Sequence, residues 1–576
     1  MITNMKIKKF KLNWQMAILM VLFCVAITLR VFLAYYNWPL PNSDEGTMGL
    51  MGMHIQQGAR PILFYDQDYM GVLQAYLGAF FFTFLSPSVF TLRLGMVTLY
   101  AGFLLSMYFL VAQLYTKRFA LFVVALFSFG SAAMLSRQLI AIGGYAETVF
   151  FATLSLAIGL RLALTIPGGD FWYQVRRYGL FFLWGLAITL GIWNDTLILP
   201  WVACSSLLLL FTLRELFFKG TILAFLIGLL CGGIPLIIYN LNAPIHHDTI
   251  SVLVGQLGHV PLNIQTLLLQ IKNTFIVSLP TISGSPTCYK SEYSFLSYWG
   301  FGTYWHSYCT VTNSIWSIGF VLLAVIATCL AAWALIKMLF PFHWRTRSPE
   351  ERRIIILNCT RLILIAGILG TLLPYLRSAT VINGPGANAR YLLGVWIGLP
   401  ALLWPLWSGA TALTSSVNPN KAGLEKAGKA ICISILSLLL CISLYGTYLT
   451  VVQIPTAQAA TQTEQQLIEK LKYYKITHLY ADYWVSYRLN FETQASIICA
   501  SYRYNYRNNG LIEWNNNKYK PYMEIVNKDP YASYLISRRY TSLQQSVEKQ
   551  FKAKKISVKI IDINGEYIAI QPIRPK

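Results

Sequence analysis

The chain has 576 residues, of which 56% are hydrophobic and only 12% charged, with a mean hydropathy of +0.51. Soluble globular proteins carry about 25% charged residues, so the composition excludes that class and indicates an integral membrane protein. The net charge of +23 would suit a nucleic-acid binder, but Lys and Arg fall mainly in short loops and in the tail. That distribution fits positive-inside topology and contacts with anionic lipid or phosphate, with no nucleic-acid partner.

In chain order, the basic start (Lys6, Lys8, Lys9, Lys11) is expected in the cytoplasm, and Met16 to Val31 carries one charge, Arg30. No cleavable signal peptide is expected, because the first apolar stretch is long and no small-residue cleavage site follows it. Beyond Tyr36 comes a long external segment, about 37–88. Its apolar run Val72 to Leu85 is about fourteen residues and suits an interfacial or re-entrant helix better than a crossing. Spans follow from Phe90 to Tyr115, Phe119 to Leu135, Thr148 to Leu164, Phe181 to Trp193, Leu197 to Leu213 and Thr221 to Tyr239. A second external loop, about 240–310, has a punctuated apolar pattern that suggests interfacial helices. The last spans run from Ile315 to Ile336, Ile354 to Tyr375, Tyr391 to Trp407 and Ile431 to Val452.

This path gives about eleven transmembrane helices, each near the roughly 20 residues a crossing needs. It places the basic loops at Lys117-Arg118, at Arg176-Arg177 and from Lys337 to Arg353 (with Arg345, Arg347 and Arg352) in the cytoplasm. Counting Val72 to Leu85 as a crossing would put all three outside, against the charge bias. The expected fold is thus a polytopic α-helical membrane protein, its 1–453 portion spanning the bilayer. Residues 454–576 are polar and Tyr-rich and alternate helical with strand-like runs, as in a small external α/β domain. There is no internal repeat and no low-complexity tract.

The residues that could carry chemistry lie on the external face. Ser43-Asp44-Glu45-Gly46 follows the first span directly; a charge there is costly to bury and commonly functional. The pair also suits a helix start, with Ser43 as cap and two acids favouring the dipole. The same loop carries Tyr65-Asp66-Gln67-Asp68-Tyr69-Met70-Gly71, where Asp66 or Asp68 could meet an acceptor or a metal. Glu147 stands at the external start of a span, with Arg137 ten residues earlier as its natural ion-pair partner; an active-site role is the equal alternative. Arg390, followed by Tyr391, enters a helix N-terminally, a poor place for a cation unless an anion such as phosphate joins it.

The ten cysteines show no metal-site spacing. Cys24, Cys204, Cys231, Cys329, Cys432 and Cys441 lie in apolar spans, while Cys288 and Cys309 share one external loop and read equally as a disulfide or as two thiols. His246, His247, Asp248 and His259 more simply decorate a loop than ligate a metal. No cofactor is specified by the sequence, and a divalent metal stays open.

Together these elements resemble the GT-C superfamily of polyprenyl-phosphate-dependent membrane glycosyltransferases, in the branch with protein O-mannosyltransferases and the aminoarabinose transferase of lipid A. The resemblance rests on Asp44 and Glu45 in the first external loop, the stretch from Pro61 through Tyr69-Met70-Gly71 to Arg93, and Ala389-Arg390-Tyr391. It implies an external cavity taking a polyprenyl-phosphate sugar and an acceptor, with Asp44 as base, Glu45 beside it and Arg390 near the donor phosphate. Asp66, Asp68, Tyr69, Arg137, Glu147 and Tyr391 would line the substrate. One departure concerns a Lys-Pro-Pro element frequent in that family, where this chain reads Asp68-Tyr69-Met70-Gly71.

The expected function is therefore a multi-pass plasma (inner) membrane glycosyltransferase that moves a hexose or pentose to an extracytoplasmic lipid, glycan or protein. A carboxylate would accept the proton of the attacking group while polyprenyl phosphate leaves. A transporter or flippase of lipid-linked glycans is the alternative, although the sequence shows neither the paired repeats nor the interrupted midplane helices common in transporters, and its candidate charges cluster at one face. A scaffold with a carbohydrate-binding tail is a third reading.

Overall fold

The computed structural model describes residues 14–218, 220–256, 263–286, 307–340, 348–412, 419–505, 510–512 and 517–573. Helix α1 (Trp14–Tyr35) leads to α2 (Ser43–Gln56) and α3 (Leu73–Phe82), followed by α4 (Val89–Leu114), α5 (Lys117–Ser128), α6 (Ala132–Arg137), α7 (Tyr145–Leu164) and α8 (Phe171–Asn194). Among the described residues, eight helices are long and apolar enough to cross a bilayer. They are α1, α4, α7, α8, Thr221–Asn242, Tyr308–Leu339, Pro349–Arg377 and Pro419–Val451, the last running on into Ile454–Tyr473. These correspond to eight of the about eleven expected spans, and the other three are short or broken for identifiable reasons.

The first is α5, which stops at Ser128. Arg30, wholly buried in α1, donates Nη2 to the Phe127 carbonyl at 2.8 Å and Nη1 to that of Ser128, and holds Gln138 at 3.0 Å through Nε. A guanidinium that takes terminal carbonyls ends a helix as a capping group does. The charge inside the first span therefore breaks the third. The second is the apolar segment Thr196–Phe211, bracketed by tight turns at Thr196–Ile198 and Leu208–Phe211. The third bends by 78° between Pro385–Leu392 and Val395–Thr411. At that bend Gly394 lies so close to Trp201 that a Cβ would stand 2.4 Å from the indole nitrogen.

The long segment between α1 and α4 is ordered structure. Helix α3, ten residues long, is about half the length a crossing needs, in keeping with the interfacial reading. A narrow turn from Leu63 to Gly71 joins α2 to α3 and pairs back on Asp195 through Met70. In the second long loop the helix Ile264–Asn273 runs through a wide turn, Thr274–Ser278, into Leu279–Ser283. The largest apolar core threads α4, α5, α7, α8 and the helices Pro349–Arg377 and Val395–Thr411.

After Ile454–Tyr473 the chain builds a six-stranded mixed sheet from β1 (His478–Asp482), β2 (Ile498–Asn505), β3 (Gly510–Ile512), β4 (Ser533–Ser537), β5 (Val558–Asp562) and β6 (Tyr567–Pro572). The order is β3-β2-β1-β4-β6-β5, with β1 parallel to β2 and β4 and the remaining pairs antiparallel. The sheet, with helices between its strands, is the small α/β domain expected of the tail.

The helix Tyr483–Glu492 lies directly on α2. A Cβ at Gly46 would stand 2.6 Å from the backbone of Arg488, and one at Gly49 would stand 2.5 Å from the Phe491 ring. Two glycines one turn apart thus let the tail helix seat on the helix that carries the acidic pair. The Arg488–Glu464 ion pair and an Arg488 bond to the Pro41 carbonyl lock the contact. Lys6, Lys8, Lys9, Lys11, His259, Cys288, Arg345 and Arg347 lie outside the described residues; Cys309 is disulfide-bonded.

Candidate active site

Asp44 and Glu45 occupy the first turn of α2, but the cap is Asn42, one residue before Ser43. Its side chain accepts from the Glu45 amide at 3.0 Å. Ser43 is the first helical residue, and its hydroxyl donates to the Tyr483 carbonyl in the tail.

The two neighbouring acids part company. Glu45 is fully buried and clasped by Arg93, with Nε to Oε1 at 2.8 Å and Nη2 to Oε2 at 2.7 Å. The Ala141 amide adds a bond to Oε1 at 3.2 Å, and Arg93 also donates to the Pro39 carbonyl. This bidentate pair ties α2 to α4 and to the chain before α7. Asp44, half-buried, turns the other way. Tyr483 donates its hydroxyl to Oδ1, and Oδ2 makes no hydrogen bond among the described residues. Burial and then the Asp44 charge hold the Tyr483 phenol well above its ordinary range, so it stays a donor.

Opposite Asp44 stands Arg390, in the tight turn Ala389–Leu392 at the bend. Its Cζ lies 5.2 Å from the Tyr391 ring centre and 5.7 Å from that of Tyr145. It reaches only the Tyr391 hydroxyl, at 3.4 Å, and its Nε is buried without a hydrogen-bond partner among the described residues. Arg390 interacts electrostatically with Asp44. Tyr69 is within electrostatic reach of Asp44, Asp195, Arg390 and Tyr391, and burial raises its phenol. Asp44, Tyr69, Arg390 and Tyr391 are thus brought together.

The other candidates distribute around this cluster. Glu147 is fully buried and accepts from Gln74 Nε2 at 2.8 Å, rather than pairing with Arg137 as the sequence suggested. Arg137 instead donates Nη2 to the Ala387 carbonyl at 2.8 Å. It thereby anchors the segment that delivers Arg390. The reason is register: α6 ends at Arg137 and faces Pro385–Asn388, while Glu147 lies one turn into α7 facing α3. Asp68 meets His247 at 2.6 Å, with both side chains exposed, and Tyr239 beside it. Asp66 stays on the Asp44 side, exposed to the Lys518 and Lys520 charges, with burial raising its carboxyl.

Three contributors were not legible in the sequence. Asp195 follows directly on α8. It is buried, caps Leu197 at 2.9 Å, and burial pushes its carboxyl up to about 7. Gly144 admits it, since a Cβ there would lie 2.4 Å from the Asp195 Cβ. Tyr483 and Lys518 come from the tail. Lys518 lies near both Asp44 and Asp66; burial lowers its ammonium and the two carboxylates raise it. Among the described residues no group of three or more His, Cys, Asp or Glu side chains converges as a metal site would require.

No family model matches the sequence, and no curated protein matches it. Solved structures do match in fold. ArnT from Cupriavidus metallidurans bound to undecaprenyl phosphate aligns over 97% of this chain and 99% of its own, with a TM-score of 0.54 and 12% identity. The same protein in the apo state aligns over 97% and 99%, with a TM-score of 0.53 and 11% identity. The archaeal oligosaccharyltransferase AglB from Archaeoglobus fulgidus, in complex with an inhibitory peptide and a dolichol-phosphate, covers 96% of this chain and 74% of its own at 14% identity, with a TM-score of 0.47. The likeness is one of fold across nearly the whole chain. At that level the resemblance expected from the sequence is met: the chain has the fold of the ArnT structures.

Proposed function

We propose that the chain is a membrane glycosyltransferase that moves a sugar from a polyprenyl-phosphate donor to an acceptor at the extracytoplasmic face. The observation that carries this reading is the division of labour at Asp44. Tyr483 occupies Oδ1, Oδ2 is left without a hydrogen bond, and Arg390 stands opposite without a carboxylate in ion-pair contact among the described residues.

The acceptor hydroxyl or amine attacks the anomeric carbon as its proton passes to Asp44 Oδ2. The bond from that carbon to the phosphate oxygen breaks, and its electron pair leaves with polyprenyl phosphate. Arg390 meets the developing negative charge, its fork held by Tyr391 and Tyr145 so that little reorganisation is needed. Glu45 acts as a positioning residue through Arg93, holding α2 while its neighbour faces the substrate. Tyr69 and Asp195 border the donor; Asp66 and Lys518 border the acceptor entrance. In this reading 1–453 forms the catalytic membrane portion, and 454–576 is an extracytoplasmic domain that completes the site. The cytoplasmic placement of the basic loops, and so of the N-terminus, is part of the same proposal.

The test compares wild type with Asp44→Asn in membranes supplied with radiolabelled polyprenyl-phosphate sugars, at matched expression. Transfer by wild type that falls by about 10²-fold or more in the variant is expected of a lost general base. Equal transfer by both proteins would remove Asp44 from that role.

A further inference from the structure

Far from the Asp44–Arg390 cluster, at the opposite end of the bundle, lies a second arginine with unspent hydrogen-bonding capacity. Arg361 occupies the first half of the helix Pro349–Arg377, level with Tyr115, where α4 ends. A cavity of about 110 Å³ opens there, lined among others by Tyr115, Leu330, Arg361, Ala401, Trp404 and Pro405.

The rings of Tyr115 and Trp404 stack at 4.6 Å between centres, and the Arg361 guanidinium lies 5.0 Å and 5.4 Å from them. Its Nη1 donates to Asn358 at 3.0 Å. The Tyr115 hydroxyl is its other polar neighbour; its Nε meets no acceptor in hydrogen-bond geometry among the described residues, and no ion pair among them involves Arg361. A cation placed within an apolar helix is expensive and is ordinarily matched by an anion or lines a polar path. Here two aromatic rings lie within cation–π distance of the guanidinium, and a guanidinium fork matches the paired oxygens of a phosphate. Exposed Arg118, Arg352 and Arg353 at the same end add positive potential. Leu330, half exposed on the cavity wall, offers apolar surface to an acyl chain.

We propose that the Arg361 cavity is a phosphate-binding site, distinct from the site around Asp44, with a shape and wall suited to phosphate carried on a membrane lipid. The test uses the full chain purified in detergent and exposed to phosphatidylglycerol or phosphatidylcholine, with bound lipid counted by native mass spectrometry. Wild type is expected to retain phosphatidylglycerol roughly tenfold better than Arg361→Gln, the loss expected for one charge-assisted contact of about 1.5 kcal/mol. Arg361→Lys, which keeps the charge but not the fork, should fall between them and serves if the Gln variant does not fold. Arg353→Gln, an exposed neighbour, should retain lipid like wild type. Inorganic phosphate is added as a competitor: no displacement assigns the site to lipid, and displacement assigns it to free phosphate. Equal lipid retention by wild type and both Arg361 variants, with no effect of phosphate, would overturn the proposal. So would an equal loss in Arg353→Gln, which would mark mere charge attraction.

Discussion

The Tyr483 hydroxyl donates to the carboxylate of Asp44 across 439 positions of chain, joining the tail to the first turn of the helix after the first span. If this contact orients the base, removing the hydroxyl alone should slow transfer without disturbing substrate capture. Tyr483→Phe is expected to lower kcat about tenfold or more, with KM nearly unchanged, because a slightly misplaced base loses rate before affinity. Steady-state kinetics with a labelled donor check this. A change confined to KM would instead make Tyr483 a substrate contact.

Breaking the Glu45–Arg93 pair should act on stability. Both partners are wholly buried, so Arg93→Met leaves an uncompensated carboxylate and is expected to cost about 3–5 kcal/mol. The double variant Glu45→Gln with Arg93→Met should recover most of that loss. Thermal unfolding of the purified variants reads the order, and an Arg93→Met protein as stable as wild type would remove the pair from this role.

The seat of the tail on α2 depends on Gly46 and Gly49. An added methyl meets backbone at Gly46, where nothing can swing aside. Gly46→Ala is therefore expected to cost about 1–3 kcal/mol of docking energy and to raise the rate at which protease releases the tail. Gly233→Ala, where the nearest atom to the added methyl lies 3.9 Å away, should leave that rate unchanged.

His54 makes the same seat pH-dependent. Its imidazole bonds Tyr65 at 2.9 Å and Tyr522 at 3.3 Å and packs against the Tyr519 ring, 4.6 Å between centres and tilted by 37°. Burial holds it below its ordinary value of 6.5. The undocked or unfolded chain then binds the proton more readily than the docked one, so stability is complete above that value and falls as pH drops below it. Protease release of the tail should accelerate from pH 7.5 to roughly pH 5, and His54→Gln should flatten that dependence.

Much of the architecture was legible because a bilayer demands long apolar helices and basic loops mark one side of them. The breaks were not, since they depend on tertiary contacts: Arg30 ends α5 only because α1 happens to lie beside Phe127 and Ser128. Asp44 could be singled out by its charge at the end of a span. That Glu45 turns inward to Arg93 could not, because adjacent helical residues differ in orientation by about 100° and nothing local says which faces the core. Asp195 stayed hidden as an ordinary cap residue, and the tail's Tyr483 and Lys518 have no motif. Their relevance comes from where the sheet is docked.

Because Asp44 lies near the start of the chain and Tyr483 close to its end, the carboxylate is without its hydroxyl partner through most of synthesis. On the proposed reading of Asp44 as base, a chain interrupted after the last long apolar helix would lack the hydroxyl that Tyr483 donates to that carboxylate. The bilayer portion would then be laid down before the carboxylate has its partner, and arrival of the tail would complete the site.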